Sequence, residues 1–267
     1  MFFSKRSKLF LGYTFLLTWI MWGLLAYLTH AGITGYQSGF GLPLYILGGS
    51  SPTIIAYVAV TLTKKEGSIK EFNARVFSFK HTLAYYLIAI ITPIALGACG
   101  LAAAYLLAGG SQNFRFEPFF LFVPFFLSSI IFGGIEEFGW RGILQHQLGQ
   151  KLNLFKANLI IGLIWSLWHL PLYFIAGTSH QGSSFLFFAL AGFGFSAFMT
   201  WLYAKTKSIM LCVFFHAAIN AAATIGLMVP MNDTPGYFYY AAFIFLAGLG
   251  FLIVASFHRS EKSKQII

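Results

Sequence analysis

Charge is scarce in this chain. Of 267 residues only 9% are Asp, Glu, Lys or Arg, and the 7 acidic side chains are outnumbered by 17 basic ones. A water-soluble domain carries about a quarter charged residues, so an ordinary soluble globular fold is excluded. Cysteine is nearly absent as well. Cys99 and Cys212 both lie inside apolar runs, which supports neither a disulfide framework nor a cysteine-based zinc site. The chain also lacks G-x-S-x-G, H-E-x-x-H and a Cys–His arrangement, so the usual serine-hydrolase elbow, helical zinc-protease signature and thiol nucleophile are missing.

What is present is apolar. Hydrophobic residues make up 58% of the chain and aromatic residues 19%, with a mean hydropathy of +0.76. No polar surface of this length could cover so many large side chains, and the bilayer is the solvent they fit. The net charge of +10 would suggest nucleic acid in a soluble protein. Here the basic residues form short clusters between apolar runs, which makes them topology signals and argues for no nucleic-acid partner.

Runs of about 18 or more apolar residues fit bilayer-crossing helices. Eight are predicted: Leu9–Leu28, Leu42–Leu62, Thr82–Ala108, Phe119–Leu144, Ala157–Ala176, Phe185–Ala204, Ile209–Val229 and Tyr237–Phe257. The first follows Lys5, Arg6 and Lys8 but has no small-x-small cleavage site, so it is expected to be a retained span. With eight spans, fifteen of the 17 basic residues fall on one side, Arg115 falls on the other, and Arg141 lies in or at the end of the fourth span. Both termini are therefore expected to be cytoplasmic. The predicted fold class is all-α, a polytopic membrane helical bundle over residues 1–267 as a single integral-membrane domain.

Two segments stand out between or within the spans. In KKEGSIKEFNARVFSFK (64–80), Ile69, Phe72 and Val76 recur at three and four residues among basic side chains, a pattern that fits either a short interfacial helix or a solvated basic linker. GGSSP (48–52) is expected to kink or break the second span, because Pro52 removes a backbone donor. An unwound, substrate-lining stretch is the alternative there.

Ionisable groups within apolar helices are expensive and usually line a polar cavity. Glu136, Glu137 and Arg141 sit in the fourth span. Glu137 and Arg141 are four residues apart, in the favourable order for an ion pair, while Glu136 is rotated about 100° away. Glu136 has no second basic residue in its span, so solvation by a cavity, protonation or a ligand must satisfy it. His169 lies in the fifth span beside Pro171, and His216 and Asn220 share a face of the seventh. At 1.5 Å per residue these groups are expected to meet in the cytoplasmic half of the membrane and to open toward the cytosol. His30, His81, His146, His180 and His258 fall at loops or membrane edges, where solvated roles are expected, and Glu117 and Asp233 are loop acids.

A carboxylate and a histidine can hold and deprotonate a water, while further His and Asn donors stabilise the oxyanion formed when that water attacks an amide. Glu and His are also zinc ligands, so a metal-bound water held by Glu136, His169 and His216 is the alternative.

These residues resemble a known family. EEFGWR (136–141) matches the E-E-x-x-x-R motif of the CPBP intramembrane proteases, the group of the CAAX prenyl endopeptidases and the Abi-type bacteriocin-processing and self-immunity proteins. WSLWH (165–169) resembles the family's F-x-x-x-H motif with Trp165 in place of Phe, and HAAIN (216–220) fits H-x-x-x-N. The core motifs fall within residues 119–225. The resemblance implies an intramembrane endopeptidase with Glu136 as general base, His169 assisting, and His216 and Asn220 as the oxyanion site. Glu137, Arg141 and Trp165 would support that geometry. It implies a glutamate-dependent enzyme with no resident cofactor, Zn2+ being the alternative. The expected partner is a membrane-associated, prenylated or leader-type peptide in a bacterial plasma membrane. The rival functions are a non-proteolytic scaffold or self-immunity protein and a proton-coupled transporter, of which the latter would be expected to show repeats.

Overall fold

A computed structural model describes residues 3–107, 109–110, 114–228, 248–250, 252 and 256. The expected eighth span lies mostly outside the described residues, as do Asp233, His258 and the basic residues beyond it. Among the described residues there is helix and no strand.

Helix α1 (Lys5–His30) and helix α2 (Gly41–Leu62) form an antiparallel pair. A short helix α3 (Ile69–Val76) follows, then α4 (Leu83–Leu107). The fourth apolar run is expected as one rod, yet it is segmented. A 3-10 turn (Phe119–Leu121) leads into α5 (Phe122–Ile131), the chain breaks at Gly133, and a second 3-10 turn (Gly134–Glu136) enters α6 (Glu137–Gly139). A π-helix (Trp140–Gln145) and α7 (His146–Leu148) complete it. Helix α8 (Leu154–Trp168) runs into a 3-10 segment (Leu170–Phe174), and α9 (Phe185–Thr206) and α10 (Ile209–Thr224) follow.

Six of these segments are long and apolar enough to cross a membrane: Lys5–His30, Gly41–Leu62, Leu83–Leu107, Phe119–Leu148, Leu154–Phe174 and Phe185–Thr206. They correspond to the first six expected spans and make this a multi-pass integral membrane protein. Helix α10 is also apolar but has 16 residues, about 24 Å against a hydrocarbon core of roughly 30 Å. It packs against α4, α5 and α9 and buries most of its length. Outer faces carry exposed apolar side chains such as Leu16, Ile20, Leu106 and Phe120, as expected where lipid replaces water.

The GGSSP stretch does not break α2. Pro52 lies inside a continuous helix, and the carbonyl it leaves without a donor, that of Gly48, accepts instead from the Thr18 hydroxyl of α1 at 2.8 Å. Thr18 Oγ1 in turn accepts from the Trp168 indole at 2.7 Å and pairs with the Ser51 hydroxyl. A neighbouring helix thus re-satisfies the backbone group that the proline frees. Of the two alternatives for residues 64–80, the helix is the one that forms. Ser68 and Glu71 close a capping box at its start, and Phe72 and Val76 are buried while Ile69 stays exposed. Glu71 accepts the Ser68 backbone N–H at 2.8 Å, and these bonds to the charged form hold its carboxyl below the usual range.

Hydrogen bonds between connections fix which helix ends lie together. At one end Arg6 donates to Thr63 Oγ1, Thr63 O and Gly67 O, each at 2.8 Å. Ser208 donates to Ser78 O at 2.8 Å, and Arg75 reaches Gly142 O at 3.3 Å. At the other end His30 Nε2 donates to Phe174 O at 3.0 Å, the Ala176 N–H to Thr29 Oγ1 at 3.1 Å, and the Glu117 N–H to Ile225 O at 3.2 Å.

Candidate active site

The two adjacent acids owe their placement to the break before them. Gly133 has φ +144° and ψ −58°, a backbone that L side chains rarely adopt. A Cβ there would collide with the Asn220 amide and lie 3.8 Å from His216 Nε2, so this glycine lets the chain pass directly beside both groups. The 3-10 turn that follows is pinned by Thr53, whose hydroxyl donates to Ile135 O at 2.6 Å. It delivers Glu136 and Glu137 into the bundle, 7% and 0% exposed.

Glu137 is fully engaged. Its two oxygens accept from Arg141 Nε at 2.7 Å and from His216 Nδ1 at 2.8 Å. Arg141 spends its other donors on Gln145 Oε1 at 3.0 Å, Thr200 Oγ1 at 3.1 Å and Ser196 Oγ at 3.2 Å. Gln145 donates to Thr200 O at 2.9 Å, and the Thr200 hydroxyl donates to Asn158 Oδ1 at 3.2 Å. The expected Glu137–Arg141 ion pair is therefore one edge of a buried network joining α6, the π-helix, α8, α9 and α10. A buried pair persists only when its remaining donors are met, and here Ser196, Thr200, Gln145 and Asn158 meet them. None of these four is among the residues that the sequence singles out. Their signal is a row of polar side chains, such as Ser196 and Thr200 four apart in α9, inside otherwise apolar runs.

Glu136 has a different environment. Its Oε2 is buried without a hydrogen-bond partner. The indoles of Trp140 and Trp165 lie beside the carboxyl without closing an ordinary hydrogen bond to it. His169 caps α8, and its Nδ1–H donates to Trp165 O at 2.9 Å. That fixes the tautomer and leaves Nε2 with a lone pair. The imidazole is held among the rings of Trp165, Trp168 and Phe188, with centroids at 4.1, 4.5 and 5.1 Å. Trp165, at the position where the family motif has Phe, thus stands between Glu136 and His169.

Glu136, His169, His216 and Asn220 all line one cavity of about 800 Å³, walled mainly by apolar and aromatic side chains including Trp22, Tyr45, Trp165 and Phe188. The structure therefore brings the four expected site residues to one space. It also places there His180, for which a solvated loop role is expected. His180 is half-buried against Tyr173 and Phe188 at 5.3 and 5.4 Å, and burial pushes its imidazole down to about 4.

The cavity reaches Tyr36 and Gln37 in the α1–α2 connection and Ser179, His180 and Ser183 before α9. That is the end of the bundle opposite the start of α1. Among the described residues no three His, Cys, Asp or Glu side chains are grouped to hold an ion.

Comparisons with known proteins agree with the motifs. A family profile described as type II CAAX prenyl endopeptidase Rce1-like matches residues 118–222, a stretch that contains all four cavity residues. CAAX prenyl protease 2 of Methanococcus maripaludis is 32% identical over 238 residues, covering 82% of this chain and 84% of the relative. Lysostaphin resistance protein A of Staphylococcus haemolyticus is 27% identical over 172 residues, 63% of this chain, which spans 46% of that protein's length. Identity at this level over most of both chains, together with a membrane bundle that gathers the three motifs at one cavity, shows that the chain belongs to the CPBP family of CAAX-type intramembrane proteases.

Proposed function

We propose that the chain is an endopeptidase that hydrolyses a peptide bond of a membrane-associated substrate by a water activated at Glu136. The observation that carries this is the buried, unpartnered Glu136 oxygen at a cavity shared with His169, His216 and Asn220. Glu136 takes a proton from the water, and His169 Nε2 accepts a hydrogen bond from the water's remaining O–H and aligns it. The hydroxide oxygen bonds to the amide carbon, and the carbonyl electron pair moves onto oxygen. Asn220 Nδ2 and protonated His216 Nε2 donate to that oxyanion, while Glu137 holds the other His216 nitrogen. Glu136 then passes its proton to the leaving nitrogen, the C–N bond breaks, and an acid and an amine leave. One positioned base contributes roughly 10²–10⁴-fold, and one oxyanion donor roughly 10²–10³-fold.

A prenylated carboxyl-terminal tail is the substrate class that the name of the Methanococcus relative suggests. The name of the Staphylococcus relative keeps open a role in resistance that operates through binding. Glu136→Gln separates the two. Loss of cleavage of a membrane-anchored reporter peptide, with normal expression and an unchanged melting temperature, supports hydrolysis. Full cleavage by the variant overturns the role of Glu136, and a phenotype that survives without cleavage points to a scaffold.

A further inference from the structure

We propose that Asn158 and Thr200 are positioning residues for the reaction: they orient Arg141 and Glu137, and through them the His216 imidazole that faces the oxyanion. The proposal rests on the hydrolytic function stated above and adds to it two groups, on α8 and α9, that lie outside all three motifs.

The network runs in one direction. A guanidinium only donates and an ionised carboxylate only accepts, so the 2.7 Å bond from Arg141 Nε to Glu137 Oε2 has no reversed form. The Thr200 hydroxyl has a single proton, which goes to Asn158 Oδ1 at 3.2 Å and leaves a lone pair for Arg141 Nη1 at 3.1 Å. The Asn158 amide is held in that sense because its Nδ2 donates to Phe193 O at 3.4 Å. Gln145 is fixed likewise, with Nε2 on Thr200 O at 2.9 Å and Oε1 turned to Arg141 at 3.0 Å. At the far end Glu137 Oε1 accepts from His216 Nδ1 at 2.8 Å, which leaves His216 Nε2 on the side of Gly133 and Asn220.

Asn158, Thr200, Arg141 and Glu137 are 2%, 1%, 1% and 0% exposed, so bulk water does not stand in for a missing link. Without the Asn158 acceptor the Thr200 hydroxyl is no longer held by its proton, and its lone pair is no longer aimed at Arg141. The grip of Arg141 on Glu137 then loosens, and the imidazole swings out of line with Asn220. A misplacement of about 1 Å costs up to about 10²-fold in rate. Helix α8 also ends at His169, so the same series of bonds ties the helix of one site histidine to the helix of the other.

Variants in the purified full chain test this, assayed well below each melting temperature. Thr200→Val and Asn158→Leu should each lower kcat about 10-fold with KM unchanged, and Thr200→Ser should restore it. Groups acting in one series are non-additive, so the double variant should be no slower than either single one. Additive losses, or wild-type kcat in folded Thr200→Val, overturn the proposal. Magnetic resonance with nitrogen-labelled histidine reads the link itself. The Nδ1–H proton of His216, identified by its absence in His216→Gln, should shift in Thr200→Val and return in Thr200→Ser; an unshifted signal overturns the relay. Inactive Glu136→Gln beside a fully active Thr200→Val removes this inference and leaves the hydrolytic reading standing, whereas cleavage by Glu136→Gln overturns that reading itself.

Discussion

Glu137 lies 2.8 Å from His216 across α6 and α10, one residue from Glu136, which has no such partner. Adjacent acids of one motif therefore have opposite environments: one carboxylate is locked between an imidazole and a guanidinium, and the other faces an open cavity.

Their amides should behave differently. Glu137→Gln leaves Arg141 buried without its counter-charge, a class of change that costs about 3–5 kcal/mol, so a clear fall in melting temperature in detergent is expected. Glu136→Gln should leave melting unchanged while lowering cleavage by roughly 10²-fold or more. Equal thermal losses in both variants would contradict this division.

Gly133→Ala tests the break. The substitution forces a side chain into a positive φ, a strain of about 1–3 kcal/mol, and drives its Cβ against Asn220. Cleavage should fall further than stability alone accounts for, visible as lowered kcat in protein that still elutes as a folded species. Wild-type kcat in that fraction would show that the close approach is dispensable.

Thr18 is the partner that lets Pro52 sit inside a continuous helix. Thr18→Val removes the acceptor for Trp168 and the donor for Gly48 at once. Each buried group left unmet costs about 1–3 kcal/mol, so melting should drop by several degrees. Thr18→Ser keeps the hydroxyl and should recover most of the loss.

Acid should loosen the cavity wall at His180. An ordinary histidine titrates near about 6.5, and burial brings His180 to about 4. A base lowered in the folded state leaves the unfolded state binding more protons between those values. Its stabilising contribution is therefore complete above about 6.5 and lost as pH falls toward about 4. Melting curves from neutral to acid pH should show a steeper decline for wild type than for His180→Phe; parallel declines would remove His180 from the account.

The four cavity residues were legible because polar side chains are conspicuous in apolar sequence. Glu136, His169, His216 and Asn220 each interrupt a hydrophobic run, and their order follows the motifs of the family. The first six spans were legible from the length of their apolar runs. The break at Gly133 was not, since hydropathy continues unbroken from Phe119 to Leu144 and the need for a glycine arises from its positive φ and from Asn220, a residue far away in sequence. At Pro52 the helix does not break, and the compensating hydroxyl comes from 30 residues away, beyond any local pattern. The relative depth of the site residues was harder to read. A straight fourth span and a seventh reaching Val229 put Glu136 late and His216 early, whereas His216 is midway along the shorter α10 and Glu136 follows a break.

A vestibule of about 800 Å³ has room for on the order of tens of water molecules, most of them against walls that offer few hydrogen bonds. Seating a peptide is consequently a dehydration event, with a negative heat-capacity change as its mark. In the proposed hydrolysis, turnover then depends on retaining a single molecule of that displaced solvent at Glu136 while the remainder drains away.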